Sequence, residues 1–192
     1  MKSICQVIFL LAFASTVMAQ EQDSIPSFIL DKITYPVLDQ HPYMGVMDME
    51  FTAMKYDPNL EYKIAFDLTD SSKDSTQLNS ALVEVARIYN LHRANGVPKE
   101  KMKLVAVIHG GTTYSILTDE AYEKNNGVPN PNIPVIKALK EEGVDFYVCS
   151  QIMGFFNIPP EDIHPLVEVA LSAKTALVMF DQMGYTYMNV NE

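Results

Sequence analysis

The stretch VDFYVCSQ, residues 144–151, contains a strand-to-helix junction of the kind on which the fold prediction rests. Residues 144–148 read as a short buried strand and residues 150–156 as the start of a helix. Cys149 therefore lies where a strand runs into a helix. Junctions of this kind, repeated along a chain, are typical of a parallel sheet whose strands are joined by helices.

The same alternation continues from Tyr62 to the end of the chain. The predicted strands cover residues 62–69, 103–110, 144–149, 166–172 and 185–190. The predicted helices cover residues 74–96, 133–142, 150–156 and 173–184. Asp74 with Gln77 predicts a capping box at the first helix, and residues 111–132 read as a long connection. The pattern predicts an α/β domain with helices on both faces of a mostly parallel five-stranded sheet.

The first sixty residues divide into two segments. Met1–Ala19 has one lysine, an apolar run and small residues before Gln20, so it is predicted to be a cleavable signal peptide. Its apolar run is shorter than the ~20 residues that a membrane span needs. Residues 20–60 mix Pro, Tyr, Met and acidic residues, and we expect an arm that lies on the domain or on a neighbouring subunit. The α/β domain then covers residues 61–192, in a periplasmic or secreted protein.

Composition excludes several classes of function. The chain has 24 acidic and 14 basic residues, a net charge of −10, which opposes binding to nucleic acid or to an anionic membrane. Neither a phosphate-binding P-loop nor a dinucleotide fingerprint is present, and the four histidines lack the spacing of a zinc site. We expect no cofactor and no metal.

Cys149 is the only cysteine that remains after signal cleavage, because Cys5 lies in the leader. It cannot form an internal disulfide, so it is a small core residue, half of a disulfide between subunits, or a reactive group. In open parallel sheets, ligands bind beyond the carboxyl ends of the strands. Helix N–H groups at such a junction favour the thiolate and lower the pKa of a cysteine from about 8.5.

Other polar residues follow the neighbouring predicted strands. His109 ends the second strand and could lie beside the thiol, where an imidazole could hold the thiolate or pass a proton. Gly110 and Gly111 would let the backbone approach a ligand closely, although they also suit a plain turn. Helix capping and solvation account for three acidic residues after the first strand: Asp67, Asp70 and Asp74.

Four segments carry a family resemblance: YKIAFDLTD, LVAVIHGG, NPNIPVIKALKEEGVDFYVCSQ and VEVALSAKTALVMFDQMGY. From about Tyr62 to Tyr187 the chain resembles the DsrE family of small sulfur-relay proteins, in its exported branch. The resemblance implies a YchN-like three-layer α/β/α domain that assembles as trimers, hexamers or mixed rings. It also implies that Cys149 carries sulfane sulfur as a persulfide. Ser150 departs from the Cys-Gly-Gln sequence that is commoner in the family.

The leading hypothesis is a sulfur carrier, transferase-like at most. Cys149 would accept sulfane sulfur from a small sulfur species and pass it to a partner thiol, while His109 assists protonation. The residues expected to bind the sulfur ligand are Gly110, Gly111, Ser150 and Gln151. One alternative is an oligomeric ligand-binding or assembly module with an inert cysteine. A weaker alternative is a Cys/His hydrolase, for which the sequence offers no evident orienting acid.

Overall fold

The computed structural model describes residues 25–191, and its centre is a five-stranded sheet in which every neighbouring pair is parallel. The strand order is β6-β5-β4-β3-β7. A separate antiparallel pair, β1 with β2, lies in the arm. The strands in this part of the chain are β1 (Ile33–Thr34), β2 (Val46–Met47), β3 (Tyr62–Leu68), β4 (Met102–Ile108), β5 (Val144–Cys149), β6 (Val167–Ala170) and β7 (Thr186–Asn189).

Helices cover both faces of the main sheet. They are α1 (Ser27–Leu30), α2 (Ser80–Ala94), α3 (Asp119–Asn126), α4 (Ile133–Glu141), α5 (Ser150–Phe156) and α6 (Ala173–Gln182). Helices α2 and α4 pack on one face, and α6 contacts β3, β4, β5 and β7 from the other. The predicted α/β class, with its five-stranded parallel sheet between helices, is confirmed.

Alternation along the strands gives the two faces different contents. On β4, Ala106 and Ile108 point into the large core beneath α2 and α4, which we call the α2 face. Val107 points the other way, into a smaller cluster beneath α6, which we call the α6 face. Because β4 is buried on both sides, its sequence is a nearly continuous apolar run.

The arm packs on helix α2 of its own domain. Leu38 and Met44 are buried in the main core. Asn90 on α2 donates from Nδ2 to the backbone oxygens of both residues, at 2.7 and 2.9 Å, and its Oδ1 accepts from the amide of Leu38 at 3.0 Å. One buried amide side chain therefore clamps the arm to the domain.

The first long helix begins later than the sequence predicts. Its N-cap is Asn79, whose Oδ1 accepts from the Ala81 amide. Asp74 instead accepts from the amide and hydroxyl of Thr76 within a turn. The capping-box prediction is therefore wrong. The backbone amide of Asn79 donates to Asn132, and this distant partner fixes where the helix starts.

The predicted long connection is partly helical. The connection predicted over residues 111–132 contains helix α3, which Thr118 caps through the amide of Ala121.

The predicted signal peptide, Met1–Ala19, lies outside the described residues. Within residues 25–191, no helix combines the length and hydrophobicity that a membrane crossing requires.

Candidate functional site

Cys149 is the last residue of β5 and lies at the carboxyl edge of the sheet, on the α6 face. It is a free thiol, and it is only 7 % exposed. It forms a buried cluster with Val107, Ala173 and Ala176, around which Ile152, Leu177 and Phe180 pack. Since Ala173 and Ala176 belong to the first turn of α6, the thiol lies near the positive end of that helix.

A hydrogen-bonded group of three side chains lies on the same face, at the carboxyl ends of β3 and β4 and on β7. His109 Nε2 lies 2.7 Å from Asp67 Oδ1, and the Tyr187 hydroxyl donates to Asp67 Oδ2 at 2.8 Å. Asp67 is mostly buried, His109 is partly exposed, and Tyr187 is about half exposed. The hydrogen bond to Asp67 raises the pKa of Tyr187, with burial as a smaller cause.

The strand register brings His109 and Cys149 to neighbouring positions. Ile108 on β4 pairs with Val148 on β5, so the next residues of the two strands are His109 and Cys149. The backbone of His109 remains extended, and its amide donates to the Leu68 carbonyl. The His109 ring, however, turns toward Asp67 on the opposite neighbouring strand. Among residues 25–191, no hydrogen bond joins this ring to the Cys149 sulfur.

Gly110 and Gly111 lie against the loop that follows β3. Gly110 has φ +56°, and a Cβ there would lie 2.8 Å from the Thr69 carbonyl oxygen. A Cβ on Gly111 would collide with Ser71, and the Gly111 amide donates to the Thr69 oxygen at 2.8 Å. The two glycines therefore permit close approach between two loops, and their contacts are with these loop residues rather than with the thiol.

Ser150 and Gln151 hold the connection between β6 and α6. Ser150 Oγ donates to the Leu171 carbonyl oxygen at 2.8 Å, and Gln151 Nε2 donates to the same oxygen at 3.3 Å. Leu171 precedes the α6 cap residue Ser172. Both polar side chains after Cys149 thus fix the chain segment that leads into the helix covering the thiol.

Asp67 and Tyr187 are the site residues that the sequence did not identify. The interpretation of Asp67 as a capping or solvated carboxylate is wrong, because its two oxygens bind His109 and Tyr187. Alternation could have placed Asp67 and His109 on one face of adjacent strands. Tyr187 could not be placed, since β7 follows β6 in the chain but pairs with β3 on the opposite side of the sheet.

No group of three or more His, Cys, Asp or Glu residues within the described chain has an arrangement that could hold a metal ion. A polar cavity of about 370 Å³ opens beside Gly111, between the loops after β3 and β4. Its lining carries hydroxyl and amide groups and no charged side chain: Ser71, Ser72, Ser75, Gly111, Tyr114, Ser115, Tyr122, Asn125 and Asn126.

Comparison with known proteins gives a family match and matches among solved structures. The profile of the DsrE/DsrF-like family matches residues 63–190, which contain both Cys149 and the Asp67 group. A solved structure of a protein of unknown function from Methanobacterium thermoautotrophicum is similar, with 16 % sequence identity and a TM-score of 0.48. The similarity covers 67 % of this chain and 98 % of that one. No curated protein matches the chain significantly.

Proposed function

Because the chain belongs to the DsrE/DsrF-like family, we propose that it carries sulfane sulfur on Cys149. The observation that supports this proposal is the position of a free thiol at the carboxyl edge of a parallel sheet, inside the region that the family profile matches. This edge is where open α/β sheets bind their ligands.

The proposed reaction moves one sulfur atom without a net change of oxidation state. The Cys149 thiolate attacks the outer sulfur of an organic persulfide, R–S–SH, and a new S–S bond forms. The old S–S bond breaks, and its electron pair leaves on R–S⁻. The proton that Cys149 loses is returned to this leaving group, so the products are Cys149–SSH and R–SH. The reverse step delivers sulfur to an acceptor thiol.

Two features near the sulfur support this reaction. The first turn of α6 lies against Cys149, and its helix dipole favours a negative charge there. His109 ends the neighbouring strand, and an imidazole side chain can serve as a general acid and base. Substrate would reach the sulfur from the carboxyl edge of the sheet, where Ser150 and Gln151 fix the adjacent connection.

Burial of Cys149 favours a second candidate function. A thiol that is 7 % exposed among apolar side chains resembles a structural cysteine. On that alternative the protein is a ligand-binding or assembly module. The third alternative, a Cys/His hydrolase, gains the orienting acid that the sequence did not reveal, since Asp67 holds His109.

Thiol chemistry separates these three functions. A sulfur carrier gains the mass of one sulfur atom on the Cys149 peptide after exposure to a persulfide donor, and loses it with a reductant. A structural cysteine gains nothing and labels slowly with an alkylating reagent. A hydrolase turns over an activated ester or thioester, and this turnover disappears in Cys149→Ser.

We also propose that the protein is exported by its leader and forms a homo-oligomer. Exposed apolar side chains on α6 and at its C-cap support assembly, because Val178, Met179 and the C-cap residue Met183 are each more than half exposed. Replacement of Met179 by Glu should shift sedimentation toward the monomer, while Lys174→Glu on the same helix should leave the oligomer intact. A wild-type monomer at micromolar concentration would contradict the assembly proposal.

A further inference from the structure

Asp67 accepts hydrogen bonds from two side chains that come from different strands. His109 on the β4 side occupies Oδ1, and Tyr187 on β7 occupies Oδ2. We propose that Asp67 and Tyr187 are positioning residues that hold the His109 ring in one tautomer, with Nε2 protonated and Nδ1 as the nitrogen that exchanges a proton at Cys149. The proton-exchange part of this proposal rests on the proposed function, whereas the tautomer part does not.

The chemistry of the acceptor assigns the tautomer. An ionised carboxylate can only accept, so the 2.7 Å contact requires a proton on Nε2 of His109. In the neutral ring the lone pair is then on Nδ1. Among the described residues, His109 has no other side-chain hydrogen bond, so Nδ1 has no partner that would compete for a proton. This nitrogen is the one available to act as a base.

Tyr187 limits the movement of the carboxylate. With one oxygen bound to His109 and the other to the phenol at 2.8 Å, the Asp67 side chain cannot rotate without breaking a hydrogen bond. Tyr187 is fixed in turn by its strand, since it pairs in register with Ala65 on β3. The His109 ring is therefore held by Asp67, and Asp67 is held in turn by Tyr187 on β7.

The backbone beneath Asp67 is clamped as well. Asn191 Nδ2 donates to the Asp67 carbonyl oxygen at 3.0 Å, and its Oδ1 accepts from the Thr69 amide at 2.6 Å and the Asp70 amide at 3.2 Å. A side chain after the last strand thus fixes the end of β3. These three hydrogen bonds hold the backbone at the end of β3 and so help to keep the Asp67 carboxylate in place.

Proton exchange at Nδ1 completes the sulfur transfer in a balanced way. Nδ1 takes the thiol proton of Cys149 while Nε2 keeps its hydrogen bond to the Asp67 carboxylate. When the S–S bond of the donor breaks, the ring returns this proton to the leaving thiolate. The ring ends the step neutral, with its proton on Nε2 as before.

Ring nitrogen NMR tests the tautomer directly. Long-range ¹H–¹⁵N spectra of the whole protein should be recorded well above the ordinary histidine pKa of about 6.5. His109 should show a protonated Nε2 and an unprotonated Nδ1. His92 is an internal control of the opposite kind, because its Nδ1 lies 2.8 Å from the Ile88 carbonyl oxygen and must donate to it.

Variants test the two positioning residues. Asp67→Asn should give His109 a mixture of tautomers and slow sulfur transfer by about tenfold or more. Tyr187→Phe should produce the same changes in a smaller degree. Asp145→Asn and Tyr185→Phe are matched controls: Asp145 is bound to Lys140 on the protein surface, and Tyr185 makes a ring contact with Phe180. Neither control should alter the spectrum of His109 or the transfer rate.

The outcomes separate this inference from the proposed function. A His109 ring with its proton on Nδ1, or an Asp67→Asn protein with unchanged tautomer and transfer rate, overturns the positioning roles. If the wild-type protein takes up no sulfur but Asp67→Asn still gives His109 a mixture of tautomers, the proposed function fails. The positioning of the ring by Asp67 is then supported. Circular dichroism of each variant confirms that it is folded.

Discussion

The two faces of the sheet are built from the same strands but differ in what covers them. On the α2 face, Phe66 and Phe146 are buried beneath two helices and the arm. On the α6 face, α6 together with Ile152 of α5 covers a small cluster, and polar groups remain near the carboxyl edge. Asp67 is the neighbour of Phe66 in the chain, yet it faces this second side.

The apolar packing of the fold and the polar and thiol groups therefore lie on opposite faces of one sheet. Apolar burial contributes most of the favourable free energy of folding, and it is concentrated on the α2 face. The α6 face holds the groups that can exchange a proton or form a sulfur bond: Cys149, His109, Asp67 and Tyr187. Substitutions on the two faces should therefore affect different measurements.

The largest effect on folding should come from the centre of the α2 face. Phe66→Ala removes a fully buried ring, and we expect the free energy of unfolding to fall by about 3–5 kcal/mol. Lys174→Ala on the exposed side of α6 is the control, with a change within about 0.5 kcal/mol. Urea denaturation measures both values. Equal losses of unfolding free energy in the two variants would contradict the larger contribution of the α2 face to stability.

The clamp between arm and domain should give the next largest effect. Asn90→Ala removes three buried hydrogen bonds and leaves the Leu38 and Met44 carbonyl oxygens without this donor. We expect a loss of about 2–3 kcal/mol, and faster proteolysis of the arm. Asn95→Ala at the C-cap of the same helix removes one exposed hydrogen bond and should cost much less. An arm equally resistant to proteolysis in Asn90→Ala would contradict the clamp.

Acidification should destabilise the α2 side through His92. Burial lowers the pKa of His92 below its ordinary value of 6.5, so the folded state binds a proton less readily than the unfolded state. Stability conferred by the neutral ring is fully present above pH 6.5 and is lost as the pH falls below it. His92→Phe should reduce the pH dependence of the denaturation midpoint. An unchanged dependence would mean that His92 does not contribute to it.

The smallest effect on stability should come from the polar group of the α6 face. Tyr187→Phe removes one half-exposed hydrogen bond, and we expect a loss of about 0.5–1.5 kcal/mol in the free energy of unfolding. The same substitution should alter the His109 ring spectrum, which Phe66→Ala should leave unchanged if that protein folds. Denaturation and NMR of the two variants then give opposite rankings. If denaturation and NMR rank the two variants in the same order, the Tyr187 hydroxyl has only a structural role.

The sequence predicts the main elements well where a local signal is complete. The strand ending at Cys149 is predicted to the residue, and so is the first residue of the next helix, Ser150, because the apolar run and the polar residues after it are contiguous. Helix α2 is predicted six residues too early, since its cap at Asn79 depends on a contact with Asn132. Helix α3 is missed because it buries only Ala121 and Tyr122 and so has little apolar periodicity.

The site is predicted less completely because its contacts join distant strands. His109 and Cys149 are identified from their places at strand ends, and the register confirms that these ends are neighbours. The partner of His109 is Asp67, and that choice depends on side-chain direction rather than on strand order. Burial of Cys149 depends on the packing of α6, which no motif near the cysteine specifies.

Sulfur uptake by Cys149 is the most direct test of the claim that the α6 face is the reactive one. Wild-type protein and Cys149→Ser should be exposed to an organic persulfide donor, and the intact masses and peptides measured before and after reduction. We predict that the wild-type Cys149 peptide gains one sulfur atom, which a reductant removes, and that Cys149→Ser gains none at residue 149. A folded wild-type protein with an unmodified Cys149 peptide would contradict the account.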